Sequence, residues 1–154
     1  MIGVRAALAL MAVGAVVGVI AVGPARATGS GPERALAAVR ESGGHYQRGA
    51  ASLPASDCSG LVSVAQSIAM GRVVQRLGNT DSLLAGRWPG AVRGATPADV
   101  FVVGVNKAHM VAAIDGVNIE ATCCGQPYRV GPSAKSPFAP EFVQYHIDPT
   151  LMVA

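Results

Sequence analysis

Asp115-Gly116 is the strongest local constraint in this 154-residue chain, because it stands between two β-prone runs, His109–Ile114 and Val117–Ala121. Asp-Gly supplies the positive-φ pair of a two-residue hairpin turn, so the flanking runs become antiparallel neighbours. An antiparallel pair brings the start of its first strand to the end of its second. His109 and Glu120 are thereby predicted to meet across the ladder, an imidazole beside a carboxylate. Asp115 itself stays in the turn, away from that pair. A further strand is predicted in the apolar run after Pro97, ending before Asn106-Lys107, and a last one at Phe142–Ile147.

The earlier half of the chain has the helical period instead. Leu36 and Val39 with their flanking alanines predict a short helix over Glu33–Ser42, opened by Pro32 and ended by Gly43-Gly44. Leu61, Val64, Ala65, Ile68 and Ala69 then recur at i, i+3, i+4 and i+7, the apolar face of a second helix. Asp57 is placed to cap it, which puts Cys58 in its first turn. The segments 45–56 and 78–95 read as loops, with one helical turn near Ser82–Ala85. Helices followed by a small antiparallel sheet define an α+β fold.

Residues 1–27 have the build of a signal peptide. A basic start at Arg5 precedes an uncharged run from Ala6 to Gly23, and Ala25 with Ala27 form a small-x-small cleavage site. The alternative is a retained anchor through residues 6–23, a run of about 18 residues at the short end of what spans a bilayer. Either way the remainder is directed outside the membrane. Residues 28–32 read as a linker and 33–154 as one folded domain.

Composition narrows the partners. The formal net charge of +3 includes the leader's Arg5 and Arg26, leaving the remainder close to neutral. Arg72, Arg76, Arg87 and Arg93 are scattered without interleaved aromatics, so nucleic acid is not an expected partner. His45, His146, Cys123 and Cys124 lack the close spacing of a zinc site, and neither metal nor cofactor is expected. Oligomeric state has no signature in the sequence.

Three cysteines in an exported chain leave at least one unpaired. Cys123 and Cys124 are adjacent and bridge only through a strained ring, while Cys58 stands alone. Thiol attack on a carbonyl needs a thiolate, a base and a group that orients the base. A helix N-terminus favours the thiolate and offers backbone N–H groups to an oxyanion. Cys58 is thus the candidate nucleophile, His109 the base and Glu120 the orienting residue. A disulfide from Cys58 to Cys123 or Cys124 is the structural alternative.

Asp57-Cys58-Ser59-Gly60-Leu61-Val62 resembles the nucleophile motif of the NlpC/P60 family of cell-wall cysteine peptidases, which have a papain-like fold. Tyr46-Gln47-Arg48-Gly49, Pro97-Ala98-Asp99-Val100-Phe101, the strand-opening His109 and Asn118-Ile119-Glu120-Ala121 extend the resemblance over roughly Ala35 to Thr122. It implies Cys58, His109 and Glu120 as a catalytic triad, Glu occupying the third place in some actinobacterial members. It also implies that Tyr46 lines the site, and that a peptidoglycan stem peptide is the substrate, cut at a γ-D-glutamyl–diaminopimelate or related amide bond. Gln47-Arg48, Ala98 and Met110-Val111 depart from the family's usual residues. Arg48 would meet a substrate carboxylate or solvent, and Ser59 would offer its N–H to the oxyanion. Trp88 would line a groove or fill a hydrophobic gap. The competing readings are a papain-like amidase or acyltransferase on another substrate, a non-catalytic wall-binding module, and a small exported disulfide protein.

Overall fold

Ser30 begins the first helix with a reciprocal cap that the linker reading overlooked. In the computed structural model, which describes residues 28–154, helix α1 spans Gly31–Glu41. The Ser30 hydroxyl accepts from the Glu33 N–H while the Glu33 carboxylate accepts from the Ser30 N–H. That capping box satisfies two helix-end donors and draws Gly31 and Pro32 into the helix. The signal peptide or anchor expected in residues 1–27 lies outside the described residues. Among the described residues no helix is long and apolar enough to cross a membrane.

Helix α2 (Cys58–Ala69) packs along α1 and against the sheet, with Leu61, Val62, Ala65 and Ala69 all buried. Covering a Leu or Val of this kind contributes about 1.5–3 kcal/mol. The C-terminal tail ties both helices together: Gly31 N–H donates to Val153 O, and Val153 N–H donates to Ala69 O. A short helix, α3 (Thr80–Leu84), buries Leu83.

The chain has a mixed α+β architecture with two sheets among the described residues. β1 (His45–Tyr46) and β2 (Ala55–Ser56) form a small parallel pair. The six-stranded antiparallel sheet has the order β3-β8-β4-β5-β6-β7. Its strands are β3 (Ala91–Arg93), β4 (Phe101–Val105), β5 (Met110–Ile114), β6 (Val117–Glu120), β7 (Arg129–Val130) and β8 (Val143–Ile147). β4 and β5 are buried along their whole length, the near-continuous apolar pattern of strands covered on both faces.

The β5–β6 hairpin closes at Asp115-Gly116, where φ is +48° and +74° and Ile114 faces Val117 across the turn. The strand begins one residue later than expected, at Met110. Asn106 is the reason: its side-chain Oδ1 accepts from the Ala108 and His109 N–H groups, and its own N–H donates to His109 O. His109 is thus fixed in the turn that feeds β5.

β1, β2, β3 and β7 fall where loops were expected or no strand was read. Each is two or three residues long, too short to show a period of two. They exist because a partner edge is available: β8 for β3, and β6 for β7.

Candidate active site

Cys58 occupies the first position of α2. The Asp57 carboxylate caps that helix by accepting the Gly60 N–H at 2.7 Å. Gly60 is required by the approach of the preceding loop, since a Cβ there would lie 2.1 Å from Ala50 O. Cys58 is a free thiol, whereas Cys123 and Cys124 are bonded to each other. The alternative pairing of Cys58 with either of them is therefore not formed.

Two influences compete at the sulfur. Burial pushes the Cys58 thiol above its ordinary value. The Met110 N–H, the Asp57 charge and the N–H groups of Ser59 and Cys58 follow; Asp57 adds to the rise and the three N–H groups oppose it. The expectation that the helix N-terminus yields a ready thiolate is corrected here, because desolvation outweighs the amides. The Met110 contribution also fixes a spatial relation: the first residue of β5 directs its N–H at Cys58, and His109 immediately precedes it.

His109 and Glu120 meet as the hairpin predicts. The His109 Nε2 to Glu120 Oε1 distance is 2.8 Å, with Glu120 only 1% exposed. An ionised carboxylate only accepts, so Nε2 is the protonated nitrogen of neutral His109 and Nδ1 has the free lone pair. The other carboxylate oxygen, Oε2, accepts the Lys135 N–H at 3.0 Å. The Phe142 ring stands 6.3 Å from the imidazole, centroid to centroid, and restricts its swing. Lys135 and Phe142 lie in the tail and carry no local sequence signal for this role.

A cleft of about 590 Å³ adjoins the first turn of α2, lined by Arg48, Asp57, Ser59, Arg76 and Arg87 among others but not by Cys58 or His109. Arg76 organises it. Its guanidinium donates to Asp57 Oδ2 at 2.9 Å, to Ser59 Oγ at 3.0 Å and to Ala50 O at 2.7 Å. Gly49 N–H adds a bond to Asp57 Oδ2 at 2.9 Å. Burial raises the Asp57 pKa, but Arg76 and the Gly60 and Gly49 N–H groups together hold it below the ordinary 3.8. Sequence reading passed over Arg76 as one of several scattered arginines. Its partners lie 17 to 26 residues away, beyond any local pattern.

The remaining predicted site residues divide. Ser59 is buried in the first turn of α2, its hydroxyl donating to Asp57 Oδ1 at 3.1 Å, and it borders the cleft. Arg48 is exposed on the cleft wall. Tyr46 is half-buried against the core on β1, whose N–H donates to Gln126 O at 2.7 Å. Trp88 is not a groove residue: it is 3% exposed in the core, where its indole N–H donates to buried Gln66 Oε1 at 2.7 Å. An indole that completes a buried hydrogen bond is committed to packing. The hydrophobic-gap alternative describes it.

No family model matches this chain, and no curated protein matches it.

Proposed function

We propose that the chain is an exported cysteine peptidase of the NlpC/P60 type, papain-like in fold, that hydrolyses an amide bond in peptidoglycan stem peptides. The observation that carries this reading is the 2.8 Å bond between His109 Nε2 and buried Glu120, in a chain whose free thiol, Cys58, opens a helix. An imidazole held by a buried carboxylate has its other nitrogen set as a base, and Met110, the residue after His109, is the one whose N–H acts on Cys58. The DCSGLV motif supplies the family and the substrate class. Export rests on residues 1–27 as a leader.

In this mechanism His109 Nδ1 accepts the Cys58 proton as the sulfur attacks the carbonyl carbon of the scissile amide. The tetrahedral oxyanion is held by backbone N–H groups of the first turn of α2. Collapse breaks the C–N bond, and His109 returns the proton to the leaving amine. Water, deprotonated by His109, then hydrolyses the thioester and restores the thiol. The Glu120 carboxylate accepts from Nε2 and steadies the imidazolium in each step.

Purified peptidoglycan incubated with the chain tests this reading, with products identified by mass. Release of peptide beginning at diaminopimelate, absent with Cys58→Ala, supports it and names the bond. Intact peptidoglycan after incubation with a chain whose Cys58 is reduced and alkylatable overturns it.

A further inference from the structure

The cleft beside Cys58 carries more positive charge than its own structure uses. Three arginines line it, Arg48, Arg76 and Arg87, against a single carboxylate, Asp57. Asp57 is already saturated by Arg76, by Gly60 and Gly49 N–H and by the Ser59 hydroxyl. Arg76 is likewise spent on Asp57, Ser59 and Ala50. Arg48 and Arg87 remain. Among the described residues neither forms an ion pair within 4.0 Å or a side-chain hydrogen bond, and both are exposed at the wall of one cavity. They come from segments far apart in the chain, Arg48 before α2 and Arg87 after α3, so the fold alone brings them to a common space.

Two guanidiniums facing one cleft repel each other when the cleft is empty and are relieved by an anion between them. Arginine's planar fork matches a carboxylate, and a carboxamide of the same shape replaces one acceptor with a donor that the fork cannot accept from. The remaining lining groups, among them Asn79 and Ser82, are neutral and polar, so no second carboxylate opposes the charge. The cleft is bordered by Asp57 and Ser59, the residues on either side of Cys58 in the first turn of α2, while Cys58 itself does not line it.

We propose that Arg48 and Arg87 form a carboxylate-selecting subsite, so that the chain takes acidic peptides and rejects those in which the carboxylate next to the scissile amide is amidated. This inference rests on the peptidase reading for its substrate, while the anion subsite itself is independent of catalysis. Neither arginine has a part in the hydrogen bonds that build α2, so replacing them leaves the fold intact.

The test uses the full chain carrying Cys58→Ala, so that bound peptide is not consumed. L-alanyl-γ-D-glutamyl-diaminopimelate and its glutamyl α-amide are titrated by calorimetry at low salt. The acid is expected to bind about tenfold more tightly, the size of one charge-assisted hydrogen-bonded contact. The preference should shrink to less than about twofold in Arg48→Gln/Arg87→Gln and weaken as salt is raised. Equal binding of acid and amide, or a preference that survives both replacements, overturns the subsite. A second arm separates this inference from the peptidase reading: glutarate and glutaramide are titrated while the arginine Nε–H signals are followed by NMR. Shifts of the Arg48 and Arg87 signals with glutarate alone support the subsite even when neither peptide binds, an outcome that counts against the peptidase reading. No shift with glutarate, together with no acid preference, overturns the subsite. Equal hydrolysis of acid and amide by the unmodified chain also overturns it, while leaving the peptidase reading in place.

Discussion

Glu120 Oε1 lies 2.8 Å from His109 Nε2, and the same carboxylate holds the Lys135 N–H through Oε2 at 3.0 Å. One buried side chain therefore sets the imidazole and anchors the tail segment that carries Lys135. Glu120→Gln keeps one acceptor for His109 but loses the charge that steadies the imidazolium. Its expected effect is a fall of about tenfold in kcat/KM, with a stability loss of about 1–3 kcal/mol because the amide nitrogen then faces the Lys135 N–H. Glu120→Ala leaves the Lys135 N–H without a partner, for which the cost is about 1–3 kcal/mol in a denaturant titration. An unchanged kcat/KM in both variants would remove Glu120 from the mechanism.

Thiol reactivity reports the balance at Cys58. Burial and the Asp57 charge raise its pKa above the ordinary 9.0. Iodoacetamide modification of the folded chain should therefore rise with pH and continue rising beyond pH 9, without a fast plateau in the acidic range. The same shift makes the folded chain retain its proton where the unfolded chain has lost it. Stability from this group is present below the unfolded value and declines as pH rises through the folded one. A plateau of rapid alkylation below pH 6 would show a preformed thiolate instead.

Asp57 has the opposite sign. Its pKa is depressed below 3.8, so the stability it contributes is present above that value and is lost as pH falls through its lower folded pKa. Urea midpoints of the unmodified chain and Asp57→Asn should differ most near neutral pH and converge in acid. Arg76→Ala should remove much of the same difference, because it withdraws the partner that holds Asp57 down. Midpoints that stay parallel across pH would contradict this.

Gly60→Ala places a methyl carbon within 2.1 Å of Ala50 O. The preceding loop must move, taking with it the Asp57 bonds from Gly49 and Arg76. Overpacking of this kind costs about 1–3 kcal/mol, measurable by thermal or denaturant unfolding. Activity should fall with it, since the displaced loop carries Arg48 and the cap of α2.

Trp88→Phe tests the core assignment. The buried Gln66 Oε1 loses its indole donor while Gln66 Nε2 keeps its bond to Pro89 O at 2.7 Å. A stability loss of about 1–3 kcal/mol is expected with KM unchanged. A raised KM at unchanged stability would return Trp88 to the substrate groove.

The pair at the centre of the site was legible because its geometry is local in the ladder. A two-residue Asp-Gly turn sets the register, which brings Glu120 opposite Val111 on the face that His109 shares, and the Asn106 turn holds His109 there. The cap at Asp57 and the apolar stripe of α2 were legible for the same reason, as each lies within a few residues of its partner. Arg76, Lys135 and Phe142 were not. Their contacts join segments 15 to 33 residues apart, and nothing about an isolated arginine or lysine announces a distant carbonyl or carboxylate. The thiol pKa was misjudged because helix position is visible in sequence while the depth of burial is not. Trp88 shows the same limit, since only packing reveals that its indole faces Gln66.

Cleavage of a purified stem tripeptide, L-alanyl-γ-D-glutamyl-diaminopimelate, tests the central claim most directly. Rates are compared for the unmodified chain, Cys58→Ser and His109→Ala at equal concentration, with the products weighed. The expected result is release of diaminopimelate by the unmodified chain and a loss of at least about a thousandfold in either variant. Cleavage that persists in Cys58→Ser and His109→Ala, or no cleavage by a folded chain with a reduced Cys58, would contradict it.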